Sequence, residues 1–158
     1  MFATPGTTRG DRVAQRENIG AILVLGAGGA AAAAMLAREG SEIVASSRRR
    51  GAVTELASRI GVTVSEVPWG VAVAGAVVVN ATPVGMAGES LPEGIVDVAV
   101  GLFDMAYGIN ATPAVLEADE RPVADGIDML VAQAARSFEI WTGRPAPLEV
   151  METAARDR

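Results

Sequence analysis

The chain contains no cysteine, no histidine and no lysine, so all thirteen of its basic residues are arginine. These absences exclude disulfides, thiolate zinc sites and Cys or Ser–His nucleophile pairs. Without lysine there is no Schiff base, no lysine general acid and no tyrosine–lysine pair of the short-chain reductase kind. Carboxylates and the single phenol, Tyr107, remain as acid–base candidates. There is no apolar run of membrane-spanning length, and residues 1–20 lack the apolar segment of a secretory signal, so a cytoplasmic chain is expected. A net charge of −6 argues against a nucleic-acid or anionic-membrane surface. Asn80-Ala81-Thr82 and Asn110-Ala111-Thr112 fit the glycosylation sequon, but without an export signal neither is expected to be modified. With 158 residues, half of them hydrophobic and a fifth charged, the chain has material for one compact domain and hardly for two.

What is present is organised around Ala21-Ile22-Leu23-Val24-Leu25-Gly26-Ala27-Gly28-Gly29-Ala30-Ala31, an apolar run that enters a glycine turn and then alanines. Five apolar residues bounded by glycine suit a strand buried on both faces of a parallel sheet, and alanine favours the helix that follows. The spacing Gly26-x-Gly28-x-x-Ala31 is that of a dinucleotide fingerprint with alanine in third place. Gly26 permits the tight turn, Gly28 lets the backbone approach a pyrophosphate, and Ala31 keeps the helix close to the strand. The alternative is a tight glycine turn that binds nothing.

A second strand is expected over residues 42–47, after a helix over 29–39 that Gly40 ends. Ser47 lies twenty-one residues after Gly26, where an NAD-preferring fold places an acidic residue. The sequence instead reads Ser46-Ser47-Arg48-Arg49-Arg50. A carboxylate there would repel a 2′-phosphate, whereas a guanidinium binds it, so the reading is NADP rather than NAD. The competing reading is a solvated basic loop.

Further along, a helix is expected over residues 53–60, and strands over 62–67, 76–80, 100–105 and 121–124. The loop 81–86, after the fourth strand, belongs at the carboxyl edge of the sheet, where ligands sit in parallel folds. Thr112-Pro113 looks like an N-cap and first helical residue. Leu130, Val131, Ala134, Phe138 and Trp141 follow helical spacing up to Gly143 and Pro145, and a last helix is expected over 147–156. The expectation is α/β: a doubly wound Rossmann-type parallel sheet of about six strands with flanking helices, the C-terminal helices packing at one edge. Residues 1–19 read as a flexible arm and 20–158 as the Rossmann domain.

Several motifs together resemble one family. They are Val24 to Ala31, Ser47-Arg48-Arg49, Val79-Asn80-Ala81-Thr82-Pro83-Val84-Gly85-Met86, Phe103-Asp104-Met105-Ala106-Tyr107, Asp125-Gly126-Ile127-Asp128-Met129-Leu130-Val131-Ala132-Gln133-Ala134, and Ser137-Phe138-Glu139-Ile140-Trp141-Thr142-Gly143. They look like the cofactor-binding half of shikimate dehydrogenase, which reduces 3-dehydroshikimate with NADPH in aromatic amino-acid biosynthesis. The resemblance implies NADP(H) as cofactor, with Gly28, Gly29 and Ala30 at the pyrophosphate after the cofactor-binding turn at Gly26, and Arg48, with Ser47 and Arg49, at the 2′-phosphate. It places Thr82 and Met86 along the cofactor, Gly126 and Met129 near the nicotinamide, and Tyr107 and Gln133 at the substrate. Read blandly, Gln133 is an exposed helix residue, Tyr107 a loop anchor, and the two methionines core filler.

The family's substrate domain, with the Lys–Asp pair that moves the proton, has no counterpart here, so no catalytic residue is assigned. Ile109 stands where a proline usually follows the tyrosine, and Asp128 replaces a small residue beside Met129. One expectation is therefore an enzyme component that needs its missing half for turnover, either a piece of a larger protein or a subunit whose partner chain supplies that half, and a homo-oligomer is the other association expected. The alternative is a stand-alone module that binds or senses NADP(H). An apolar patch including Phe138, Trp141, Leu148 or Met151 is expected where the missing domain would sit.

Overall fold

The computed structural model describes residues 20–37, 40–108 and 110–157. The arm expected over residues 1–19, and the unusual Ile109, lie outside the described residues. The elements run β1 (Ala21–Leu25), α1 (Gly29–Leu36), β2 (Glu42–Ser46), α2 (Ala52–Ile60), β3 (Ser65–Val67), β4 (Val77–Asn80), β5 (Gly101–Asp104), α3 (Pro113–Glu117), β6 (Val123–Ala124), α4 (Gly126–Thr142) and α5 (Leu148–Arg156). The six strands form one parallel sheet in the order β3-β2-β1-β4-β5-β6. That order reverses direction between β1 and β4, which opens a crevice at their carboxyl ends.

Successive strand residues feed opposite cores, which is why the strands read as unbroken apolar runs. Leu23, Leu25, Val44, Val78 and Leu102 face one cluster, whereas Val24, Ile43, Ala45 and Val79 face the other. The second cluster is covered by helices, with Met35 from α1 and Val53 and Leu56 from α2 packed into it. Helix α2 buries Ala52, Val53, Leu56 and Ala57, an i, i+3, i+4 stripe, and ends at Gly61 in the left-handed conformation.

The first cluster is covered differently. Between β4 and β5 the chain forms turns rather than a helix, and sends Leu91, Ile95, Val96 and Ala99 into the core, joined by Ala114 and Ala118 of the α3 region. Thr112 caps α3 as expected, accepting from the Val115 N–H at 3.3 Å with Pro113 behind it. Helices α4 and α5 lie at the β6 edge, where Val123, Ala124, Val131 and Leu148 line one hollow.

The edge strands are shorter than the alternation suggests. β3 pairs only with β2, from Val44 onwards, and Val62 is instead buried at the end of α2, where its N–H donates to the Ala57 carbonyl. β6 pairs only with Leu102 and Phe103. Helix α1 ends at Leu36, and residues 38–39, its expected last turn, lie outside the described residues.

Candidate functional site

The last residues of four strands stand in register across the crevice, Leu25 beside both Ser46 and Asn80, and Asn80 beside Asp104. From Leu25 the chain turns at Gly26, whose N–H donates to the Ser46 carbonyl at 2.8 Å. Gly26 has φ +117°, and a Cβ there would lie 2.8 Å from the Ala81 carbonyl oxygen. Glycine is therefore required at the crossing of the first turn with the β4 loop. Gly28 is the N-cap of α1 and supplies no side chain to the first N–H groups, and no acidic residue lies in that first turn. Gly28, Gly29 and Ala30 are exposed, and a Cβ on Gly28 or Gly29 would meet open space. The result is a helix N-terminus whose first donors meet no capping side chain among the described residues, the chemistry of a phosphate cradle.

The neighbouring helix is treated in the opposite way. Glu66 of β3 closes the N-terminus of α2, accepting from the Gly51 N–H at 3.2 Å, the Thr54 N–H at 3.3 Å and the Thr54 hydroxyl. The hydroxyl of Thr54, with those two N–H groups, holds the Glu66 carboxyl below the usual range. Of the two helix starts at this edge, only the one after the glycine turn is left open.

The arginine run between them divides its work. Ser47 Oγ donates to the Arg49 carbonyl at 2.7 Å, tightening the turn. Arg49 reaches forward to Glu55 of α2 with two bonds of 3.2 and 2.8 Å, which leaves Arg48 as the freer guanidinium. Arg48 is exposed and makes no hydrogen bond or ion pair with any described residue. Across from it, Glu89 accepts from the Gly85 and Ala87 N–H groups, each at 3.1 Å. Backbone N–H groups of Glu89 itself, Ala87 and Gly85 hold that carboxyl low, and the charge of Arg48 adds to their effect.

The loop after β4 is fixed by a buried polar network that the motif reading passed over. Asn80 and Asp104, both without exposed surface, are joined by a 2.8 Å bond from Asn80 Nδ2 to Asp104 Oδ1. Asn80 also donates to the Val84 carbonyl at 3.0 Å and accepts from the Thr82 hydroxyl at 2.6 Å and the Thr82 N–H at 3.1 Å. Asp104 accepts in turn from the Ala106 N–H at 3.0 Å and from the Thr112 hydroxyl. Thr82 is thus an anchor of the loop, half-buried, while Met86 stands 53% exposed at its tip. The available signal was a polar residue closing an otherwise apolar strand at the carboxyl edge.

At the far side, α4 begins against the β5 loop. Gly126 is buried, and a Cβ on it would lie 2.8 Å from the carbonyl oxygens of Met105 and Ala106 and 2.9 Å from Tyr107 Cβ. Asp125 caps the helix, accepting the Asp128 N–H at 2.8 Å, and Asp128 returns the bond to the Asp125 N–H at 3.1 Å. Arg156 of α5 grips both carboxylates. A cavity of about 380 Å³ lies here, with Tyr107, Thr112, Gly126 and Arg156 among its walls. Tyr107 is 39% exposed and Met129 half-buried. Gly126, Met129 and Gln133 share a helix face by spacing, with exposed Gln133 two turns beyond Gly126. Tyr107 and Gly126 are therefore brought into contact, while Gln133 does not line that cavity. Among the described residues no group of three or more acidic residues is placed to hold a metal ion.

Two family models match the chain. Residues 126–156 match the shikimate 5'-dehydrogenase C-terminal domain, and residues 19–101 match a model described as NADP oxidoreductase coenzyme F420-dependent, which spans the glycine turn and the first four strands. The chain is 38% identical over 155 residues to a shikimate dehydrogenase (NADP(+)) of Methanocella arvoryzae, covering 89% of this chain and 57% of that protein. It is 40% identical over 152 residues to the protein of the same name from Archaeoglobus fulgidus, covering 84% and 55%. Among solved structures it is similar to a shikimate 5-dehydrogenase of Thermus thermophilus in complex with NADP(H) and shikimate, with TM-score 0.73 and 33% identity over 86% of this chain and 54% of that one. The chain spans about half the length of the curated relatives it matches. The sheet order, the open glycine turn and the matched C-terminal helices all agree, and over most of its length the chain is similar to the C-terminal NADP-binding half of shikimate dehydrogenases.

Proposed function

We propose that this chain binds NADP(H) and is the cofactor half of a shikimate dehydrogenase. The observation that carries the reading is the uncapped N-terminus of α1, open above Gly28 and Gly29, with exposed Arg48 at the tip of the next strand. The N–H groups of Gly28, Gly29 and Ala30 would receive the pyrophosphate, and Arg48 the 2′-phosphate, with Ser47 shaping the turn. Arg49 contributes less, being held by Glu55. Thr82 and Met86 would flank the cofactor, and Gly126 and Met129 would lie beside the nicotinamide. That ring, when bound, supplies the hydride acceptor or donor for a secondary alcohol or ketone.

Tyr107 and Gln133 would touch the substrate, but the reaction also needs a proton moved in step, and the lysine that the family resemblance assigns to it is absent from this sequence. Turnover is therefore assigned to this chain together with a substrate domain, carried by the same larger protein or by a partner chain, and a homo-oligomer is the other association proposed. A cytoplasmic setting, with no nucleic acid or membrane as partner, goes with that reading. Among the described residues no helix is long and apolar enough to cross a membrane. The second reading is a module that binds or senses NADP(H) without turnover.

The test is a pair of titrations with an activity assay. NADPH should bind about one to two decades more tightly than NADH, and Arg48→Ala should abolish the difference while Arg49→Ala reduces it less. Formation of NADPH from shikimate should be absent with the chain alone and appear on adding a separately expressed family substrate domain. Equal affinity for both cofactors overturns the NADP assignment. No rescue in the mixture favours the binding module, and rapid turnover by the chain alone overturns the need for a second domain.

A further inference from the structure

Helix α5 buries none of its residues, yet its last turn is tied to the start of α4 by a single arginine. Arg156 Nη1 donates to Asp125 Oδ2 at 3.0 Å, and Nη2 donates to Asp128 Oδ1 at 2.6 Å and Asp125 Oδ1 at 3.5 Å. Its Nε lies 3.7 Å from Glu152 on the preceding turn. Asp125 and Asp128 are already joined by their capping box, so the guanidinium closes a ring of three side chains around the first turn of α4. These groups are only about one-third exposed, a setting in which a planar fork is better matched than a flexible ammonium. Immediately inside the ring is Gly126, which leaves no room for even a Cβ against the Met105 and Ala106 carbonyls and Tyr107, so the turn rests directly on that loop.

We infer that Arg156 is a positioning residue: by clasping Asp125 and Asp128 it fixes the first turn of α4, and through Gly126 it sets the Tyr107 loop and the Met129 face that receive the nicotinamide end of the cofactor. This rests on the cofactor reading above and adds a residue outside the glycine turn and the basic tip. It needs no contact between Arg156 and the ligand. The clasp acts on one end of the ligand only, because Arg48 and the α1 N-terminus lie across the crevice on separate elements.

The experiment compares NADPH with 2′-phospho-ADP-ribose, which keeps the adenosine, 2′-phosphate and pyrophosphate but has no nicotinamide. Calorimetry on the wild-type chain should find NADPH the tighter ligand. Arg156→Met should weaken NADPH by about three- to thirtyfold and leave the truncated ligand unchanged. The fluorescence of bound NADPH, which reports the surroundings of the ring, should shift toward that of free NADPH. Asp128→Asn, which keeps a capping acceptor and removes one charge of the clasp, should move both readouts the same way by less. The double variant should lose no more than Arg156→Met alone. If Arg156→Met does not fold, Asp128→Asn carries the comparison. Equal weakening of both ligands, or of neither, overturns the positioning role, as does a wild-type chain that gains nothing from the nicotinamide. A wild-type chain that binds neither ligand overturns the cofactor reading itself, and the inference with it.

Discussion

Asp104 closes β5 with no exposed surface and divides its two carboxylate oxygens among three donors, Asn80 Nδ2, the Ala106 N–H and the Thr112 hydroxyl. Those donors belong to the β4 end, the β5 loop and the α3 cap, so one side chain holds together the loops that carry Thr82, Tyr107 and Thr112. Replacing it by alanine strands all three donors in a site where a deserted polar group costs about 1–3 kcal/mol. Asp104→Ala should lose about 3–5 kcal/mol in a urea titration, and Asp104→Asn, which keeps one acceptor, distinctly less. That Asn80 and Asp104 are polar ends of apolar strands could be read from the sequence. Their pairing could not, because it depends on β4 and β5 lying side by side across 24 residues of chain. The position of Arg48 just beyond β2 was legible for a different reason, since its distance from Gly26 is set by one local strand–turn–helix–strand unit. The tether of Arg49 to Glu55 was not, because it depends on which way α2 leaves the turn.

At the scale of elements, the start of α4 is where charge and packing meet. Burial alone would raise the Asp125 carboxyl, but the hydrogen bond from Arg156, the Asp128 N–H and the guanidinium charge outweigh it, so its value in the fold lies below the ordinary one. A carboxyl depressed in the folded state contributes stability above its unfolded value of about 3.9, and loses it as pH falls through the folded value. Arg156 keeps its charge throughout this range, with Asp128 and Glu152 as its other carboxylate neighbours. The difference in thermal midpoint between wild type and Arg156→Met should therefore be constant from about pH 7 to 5 and shrink below about pH 4. A difference that grows on acidification would refute the ion-pair account. Helical spacing located α4 and α5, and glycine located the ends of α2 and α4, because both signals are local. The lengths of β3 and β6 were overestimated, since an edge strand ends where its one neighbour stops pairing. The Arg156 clasp joins residues 28 and 31 apart, beyond any local pattern.

For the molecule as a whole, several large apolar side chains stand exposed where α4 gives way to α5. Ile140, Trp141, Leu148 and Val150 are each more than half exposed, and Trp141 reaches 83%. The sequence suggested Phe138, Trp141, Leu148 or Met151; Phe138 and Met151 are instead half-buried, and Ile140 and Val150 are exposed along with Trp141 and Leu148. Exposed apolar side chains of this size favour association. Light scattering should find a mass that rises with concentration, and Trp141→Glu should bring it toward the monomer. A concentration-independent monomer in the wild type would refute this. The two faces of the sheet differ in another respect. One is covered by the helices α1 and α2, with continuous backbone ladders, whereas the chain between β4 and β5 covers the other with turns closed by bonds such as Ile95 N–H to Pro92 and Ala99 N–H to Val96. Such turns bury Leu91, Ile95 and Val96 without the cooperativity of a helix, so they can open one at a time while the strands beneath stay paired. Amide protons of this segment should exchange with deuterium well before those of α2, making the turn-covered face the first to breathe and the helical face the last.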